Sequence, residues 1–134
     1  MRYKAPYKLV KSEEDQGWDV RADENCLLTP GDTYLVKTGL FLEFEPSFYA
    51  DVRARSSMSA KGILCHTGLV DSGYRGEIKV CLTLLSGFPH LIRKGDRIAQ
   101  LVFGKEVKVD LKNVGEIEAD TDRGEKGFGS SGRK

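Results

Sequence analysis

A carboxylate, a small-residue turn and a tyrosine follow one another in VDSGYRGE, residues 70–77. A carboxylate such as Asp71 can take a proton from water, and Tyr74 supplies a flat ring three residues on. Upstream, RARSS (53–57) offers guanidinium forks and hydroxyls, the donors that grip phosphate oxygens. GDRIAQ (95–100) adds the side-chain amide of Gln100. At the far end, DRGEKGFGSSG (122–132) combines an arginine, several glycines and one ring, Phe128. An acid, rings and phosphate donors in one chain suggest a site for a phosphorylated base.

Each of these residues also has an ordinary structural use. Asp-Ser-Gly is common turn chemistry, so Asp71 alone is a turn aspartate as readily as a base. Tyr74 can pack across strands. Ser56 and Ser57 can cap a helix while also facing phosphate, because the first N–H groups of a helix lack intrahelical partners and attract anions. Gln100 can be a polar residue on a wet strand face.

The elements that must position them are short and extended. YKLV (7–10), TYLVK (33–37), LFLEFE (40–45), FYADV (48–52), EIKVCLTLL (77–85) and RIAQLVFGKEVKVDL (97–111) read as strands. PGD (30–32), EPS (45–47), DSG (71–73) and KGD (94–96) are turn signals between them. Only SSMSAKG (56–62) reads as helix, with Ser56 or Ser57 as N-cap and Gly62 as stop. The pattern predicts an all-β, jelly-roll-like barrel or sandwich with one short helix. Two regions are expected: a β domain over 1–120 and a flexible glycine-rich tail over 121–134.

Composition limits the partners. The chain has 134 residues, 40% hydrophobic and 31% charged, which suits one soluble domain with a single core. A net charge of +1 gives no basic field for nucleic acid. Any triphosphate must therefore be met by local positive charge. No apolar run spans a bilayer, and MRYKAPYKLV lacks the apolar core of a signal peptide. Three cysteines without a CxxC pair argue for a reducing compartment, so a cytoplasmic location is expected.

In this order the segments resemble the homotrimeric dUTPases, from Gly17 to Gly132. The resemblance implies hydrolysis of dUTP to dUMP and pyrophosphate by water attack on the α-phosphorus, with Asp71 as general base. It places the ring of Tyr74 under the deoxyribose, where no 2′-hydroxyl fits. Gly68, Leu69, Val70 and Lys79 become the hairpin strands whose main-chain groups read uracil. Arg55, Ser56, Ser57 and Gln100 become phosphate donors. Asp19, in QGWDVRA (16–22), becomes a support for a magnesium shell through water; its motif departs from the family at Gln16, Trp18 and Val20, and a structural ion pair is the alternative. Arg123 would pair with the γ-phosphate. Phe128, flanked by Gly127, Gly129 and Ser130, would stack on uracil as a lid over a neighbouring subunit's site.

Two rivals share the fold or the motif. A dCTP deaminase would carry phenylalanine at Tyr74 and a glutamate at Cys81. A non-catalytic nucleotide-sensing trimer would not need Asp71, Tyr74 and the tail intact. One departure concerns uracil itself: many family members place asparagine where this chain has Cys65, beside His66. Strand alternation puts the two side chains on opposite faces. The favoured expectation is that Cys65 packs as a small apolar residue, with uracil read by hairpin backbone and His66 outside the base pocket; the alternative is that His66 supplies the missing polar contact.

Overall fold

Alternation of apolar and polar residues favours extended backbone with one dry face. Thr33–Glu43 shows it well: Val36, Thr38, Leu40 and Leu42 point inward between less buried neighbours. The computed structural model describes residues 1–66, 68–129 and 132. In chain order it contains β1 (Arg2–Lys4), β2 (Trp18–Arg21), β3 (Cys26–Leu28), β4 (Thr33–Glu43), β5 (Phe48–Arg53), α1 (Ser56–Ser59), β6 (Ile63–Cys65), β7 (Gly68–Val70), β8 (Ile78–Leu84), β9 (His90–Ile92) and β10 (Arg97–Lys105).

The strands form two four-stranded sheets, β1-β4-β8-β6 and β2-β10-β5-β7, and a two-stranded ribbon, β3-β9. Every pairing is antiparallel. Val36, Leu40, Val80 and Leu82 from the first sheet meet Val20, Ala50, Ala99 and Leu101 from the second in one buried cluster. The expected all-β, jelly-roll-like architecture is what forms.

Several local expectations are corrected. Residues 7–10 form no strand; the first strand is Arg2–Lys4, ahead of Pro6, which has no N–H to give a ladder. The two strands read over 33–45 are one, because β4 runs through a bulge. Its register against β8 shifts between Val36 and Leu40, and Gly39 takes φ +64 there. The strand read to residue 111 stops at Lys105. Beyond it Val107, Val109 and Leu111 keep an alternating pattern but stand 77%, 69% and 89% exposed. They have a strand's sequence without a partner strand among the described residues.

The helix is a single turn, Ser56–Ser59, and neither serine is its N-cap. Arg55 holds that position in extended geometry, with no side-chain cap bond. Its carbonyl accepts from the N–H groups of Met58 and Ser59. Gly62, at φ +75, ends the turn as expected.

Candidate active site

The loop that joins β7 to β8 carries the acid and the ring. The hairpin expected here is corrected, because β7 pairs with β5 and β8 with β4 and β6, so the two strands flank the loop from different sheets. The loop's turn closes when the N–H of Tyr74 donates to the carbonyl of Asp71 at 3.0 Å. The Tyr74 hydroxyl then donates to the carbonyl of Glu77 at 2.9 Å. This lays the ring over Gly76, where a Cβ would stand only 2.4 Å from the phenol oxygen. Only glycine lets the ring lie so close to the backbone.

Gly68, Leu69, Val70, Asp71, Tyr74 and Lys79 line one cavity of about 420 Å³. The structure thus brings the residues read around this loop to one wall, and His66 and Cys81 stand there with them. Val52, Glu77 and Ile78 complete the lining and were not anticipated. Alternation does put Cys65 and His66 on different faces, and Cys65 is the buried one. Burial pushes the Cys65 thiol up to about 11, with Cys81 and Asp51 adding smaller upward effects. The other face is that of the cavity. His66 is held there by Nε2, 2.8 Å from the Thr83 hydroxyl, which in turn lies 2.7 Å from that of Thr33. His66 thus lines the cavity, the placement its alternative reading as a polar contact requires. The same alternation that separates it from Cys65 could have placed it there.

Asp71 also borders a second hollow of about 510 Å³ beside Asp51 and Arg53. There the Arg53 Nε donates to Asp51 at 2.9 Å. This pair on β5 was not anticipated either.

The residues read as phosphate donors gather elsewhere. Asp19, on β2, lies 3.6 Å from Arg55 Nε and 3.3 Å from Arg97 Nη1. Arg55 also donates to the Arg97 carbonyl at 3.0 Å. Arg55 and Ser57 line a third cavity of about 290 Å³ with Lys61, His90 and Arg97. Ser56 opens the helical turn, and the N–H groups of Ser56 and Ser57 precede its first internal bond. Gln100 is register partner to both Asp19 and Arg53, and its amide donates to the Ala54 carbonyl at 2.9 Å. Arg97 and Lys61 lay inside quoted segments, yet only the fold turns them toward Arg55.

The tail stands apart from both groups. Arg123 Nε donates to the Lys126 carbonyl at 3.0 Å. Phe128 is fully exposed and takes φ +50, unusual for a residue with a side chain. Gly129 follows at φ +87, and Gly127 precedes in irregular backbone. Ser130 lies outside the described residues.

Comparison with known proteins adds a lineage to this geometry. A family profile described as dUTPase matches residues 4–132. A deoxyuridine 5'-triphosphate nucleotidohydrolase of Anaeromyxobacter sp. (strain Fw109-5) is 43% identical over 133 residues, covering 96% of this chain and 90% of that protein. One from Zymomonas mobilis subsp. mobilis is 39% identical over 130 residues, covering 95% and 88%. Among solved structures, the G164S mutant of the Staphylococcus bacteriophage 80alpha dUTPase with dUpNHpp superposes with TM-score 0.85 at 27% identity, covering 98% of each chain. The EIAV dUTPase superposes with TM-score 0.77 at 26% identity, covering 87% of this chain and 97% of that one. A profile match that leaves out only the outermost residues, with a relative 43% identical across 96% of the chain, makes this chain a member of the dUTPase family.

Proposed function

We propose that this chain hydrolyses dUTP to dUMP and pyrophosphate, with Asp71 as the general base. The observation that carries the reading is the one cavity shared by Asp71, Tyr74 and the flanking strands β7 and β8. Water attacks the α-phosphorus and its proton passes to the Asp71 carboxylate. The bond to the bridging oxygen breaks, and pyrophosphate leaves with the electron pair. The products limit uracil in DNA and supply a thymidylate precursor.

Discrimination follows from the loop and its flanking strands. Uracil offers acceptor, donor, acceptor along its pairing edge, which main-chain N–H and C=O groups around Gly68, Leu69, Val70 and Lys79 can complement. Cytosine reverses part of that pattern and would leave buried groups unpaired, a costly mismatch. The ring of Tyr74 leaves no room for a ribose hydroxyl. Arg55, Ser56, Ser57 and Gln100 hold the phosphates. Cys81 on the cavity wall, in place of a glutamate, argues against deamination of dCTP.

Magnesium fits this chain as a companion of the substrate. It keeps several waters and leans on phosphates plus one or two carboxylates. Among the described residues no three His, Cys, Asp or Glu side chains gather to hold a metal alone. Asp19, fixed between Arg55 and Arg97, suits outer contact through water. When bound, the ion supplies charge neutralisation on the phosphate oxygens.

The active unit is a homotrimer with shared sites. Two features support this. The β7–β8 loop and the phosphate donors line cavities with no residue in common. The alternating Val107, Val109 and Leu111 remain exposed in one chain. The tail from 121 onward closes over a neighbour's β7–β8 loop, with Arg123 on the γ-phosphate and Phe128 on uracil. No helix among the described residues is long and apolar enough to cross a membrane. Incubation with dUTP, dCTP, dTTP and UTP plus magnesium tests the activity. Pyrophosphate from dUTP alone is expected, and release of ammonia from dCTP would overturn the reading.

A further inference from the structure

We propose that Glu77 is a positioning residue that fixes the ring of Tyr74 and thereby sets the preference for deoxyribose over ribose nucleotides. The proposal rests on the reading of Tyr74 as the sugar discriminator.

A ring excludes a hydroxyl only if it cannot move aside. Tyr74 sits on an exposed turn and is itself 47% exposed. Packing over Gly76 supports one face, and the hydroxyl is tied to the main-chain carbonyl of Glu77. That carbonyl is a fixed point only if residue 77 is fixed. The Glu77 side chain supplies the restraint: its Oε1 accepts the N–H of Gly39 at 3.0 Å.

Gly39 is a firm anchor. It sits in the β4 bulge, where the shift of register against β8 takes the strand out of regular pairing. A Cβ at this position would meet Pro6 Cδ at 2.7 Å and Asp23 Oδ2 at 3.1 Å, and φ is +64. Asp23 is held in turn by its N–H to the Lys37 carbonyl at 2.8 Å and by Lys94 Nζ at 3.2 Å. Beside it Thr38, fully buried, donates its hydroxyl to the Ile78 carbonyl and accepts the Leu40 N–H at 3.1 Å. Two side-chain bonds thus clip residues 77 and 78 to the bulge. The turn that carries the ring is referenced to the buried sheet rather than to its own exposed loop. Groups that discriminate by shape need such support, since small displacements are enough to lose the fit.

The test compares kcat/KM for dUTP and UTP in wild type, Glu77→Ala, Glu77→Gln and Tyr74→Ala. Glu77→Ala should lose about tenfold or more of the dUTP preference, ~1.4 kcal/mol, chiefly by gaining activity on UTP. Glu77→Gln should keep the preference, because its amide oxygen still accepts the Gly39 N–H. Tyr74→Ala should lose it. If Tyr74→Ala relaxes the preference and Glu77→Ala does not, the role of Glu77 is overturned while that of Tyr74 stands. If Tyr74→Ala keeps the preference, the discriminator reading itself fails. Equal loss in Glu77→Gln and Glu77→Ala would show that the contact to Gly39 is not the cause. Should Glu77→Ala not fold, Glu77→Asp retracts the carboxylate by one methylene, and an unchanged preference there overturns the proposal as well.

Discussion

His66 Nε2 lies 2.8 Å from the Thr83 hydroxyl, a contact from the residue just past β6 to its neighbouring strand β8 that holds the imidazole on the cavity wall. One nitrogen is committed to Thr83, and among the described residues no partner takes the other. His66→Ala should therefore lower the ratio of dUTP to dCTP turnover by about tenfold, ~1.4 kcal/mol. Steady-state rates with both nucleotides check this. An unchanged ratio would leave uracil to the backbone of the loop and its flanking strands alone.

Asp71→Asn should fold normally, retain nucleotide binding and lose about 10²–10⁴-fold in turnover, the usual cost of a missing general base. A chain truncated before Arg123 should also be nearly inactive. Mixing the two should restore part of the activity, because a mixed trimer can pair an intact β7–β8 loop with an intact tail. Absence of recovery, once subunit exchange is verified by mass spectrometry, would count against shared sites.

Phe128→Ala should leave the melting temperature unchanged, since the ring is fully exposed in the free chain. Turnover should fall, because stacking of a ring on a base is worth about 1–3 kcal/mol in nucleic-acid complexes. Calorimetry and rates on the same preparation separate the two effects. A clear drop in thermal stability would make Phe128 a packing residue.

Cys65 gives a pH dependence with a definite sign. Its folded value of about 11 exceeds the ordinary 9.0, so the folded state holds the thiol proton more tightly than the unfolded chain. That stabilisation is complete below pH 9.0 and fades as pH rises toward 11. The stability difference between wild type and Cys65→Ala should narrow across this interval in denaturant titrations at stepped pH.

The parts of this protein legible in the sequence are those whose chemistry is local. Asp71, Ser72 and Gly73 announce a turn by residue type, and Tyr74 and the flanking strands follow from it. The gathering of Asp19, Arg55 and Arg97 is different in kind. It depends on β2, β10 and β5 lying side by side, a long-range pairing no short window contains. The bulge at Thr38 and Gly39 was hidden for another reason: a polar threonine holds the inward position and a glycine follows it, so one continuous strand reads as two. At 106–111 the alternation is genuine, but a strand needs a partner, and pattern alone does not say which chain provides one. Arg55 as cap shows the same limit, since backbone geometry took the place where a serine hydroxyl was expected.

The separation of the β7–β8 loop from the phosphate donors has a consequence for gene dosage. On the proposed shared-site assembly, a lone chain is inert and catalysis appears only as copies meet. Output would then climb more steeply than the amount of protein at low expression and level off once association is complete. A defective allele would likewise silence sites built partly from healthy copies, so its harm would exceed its share of the pool.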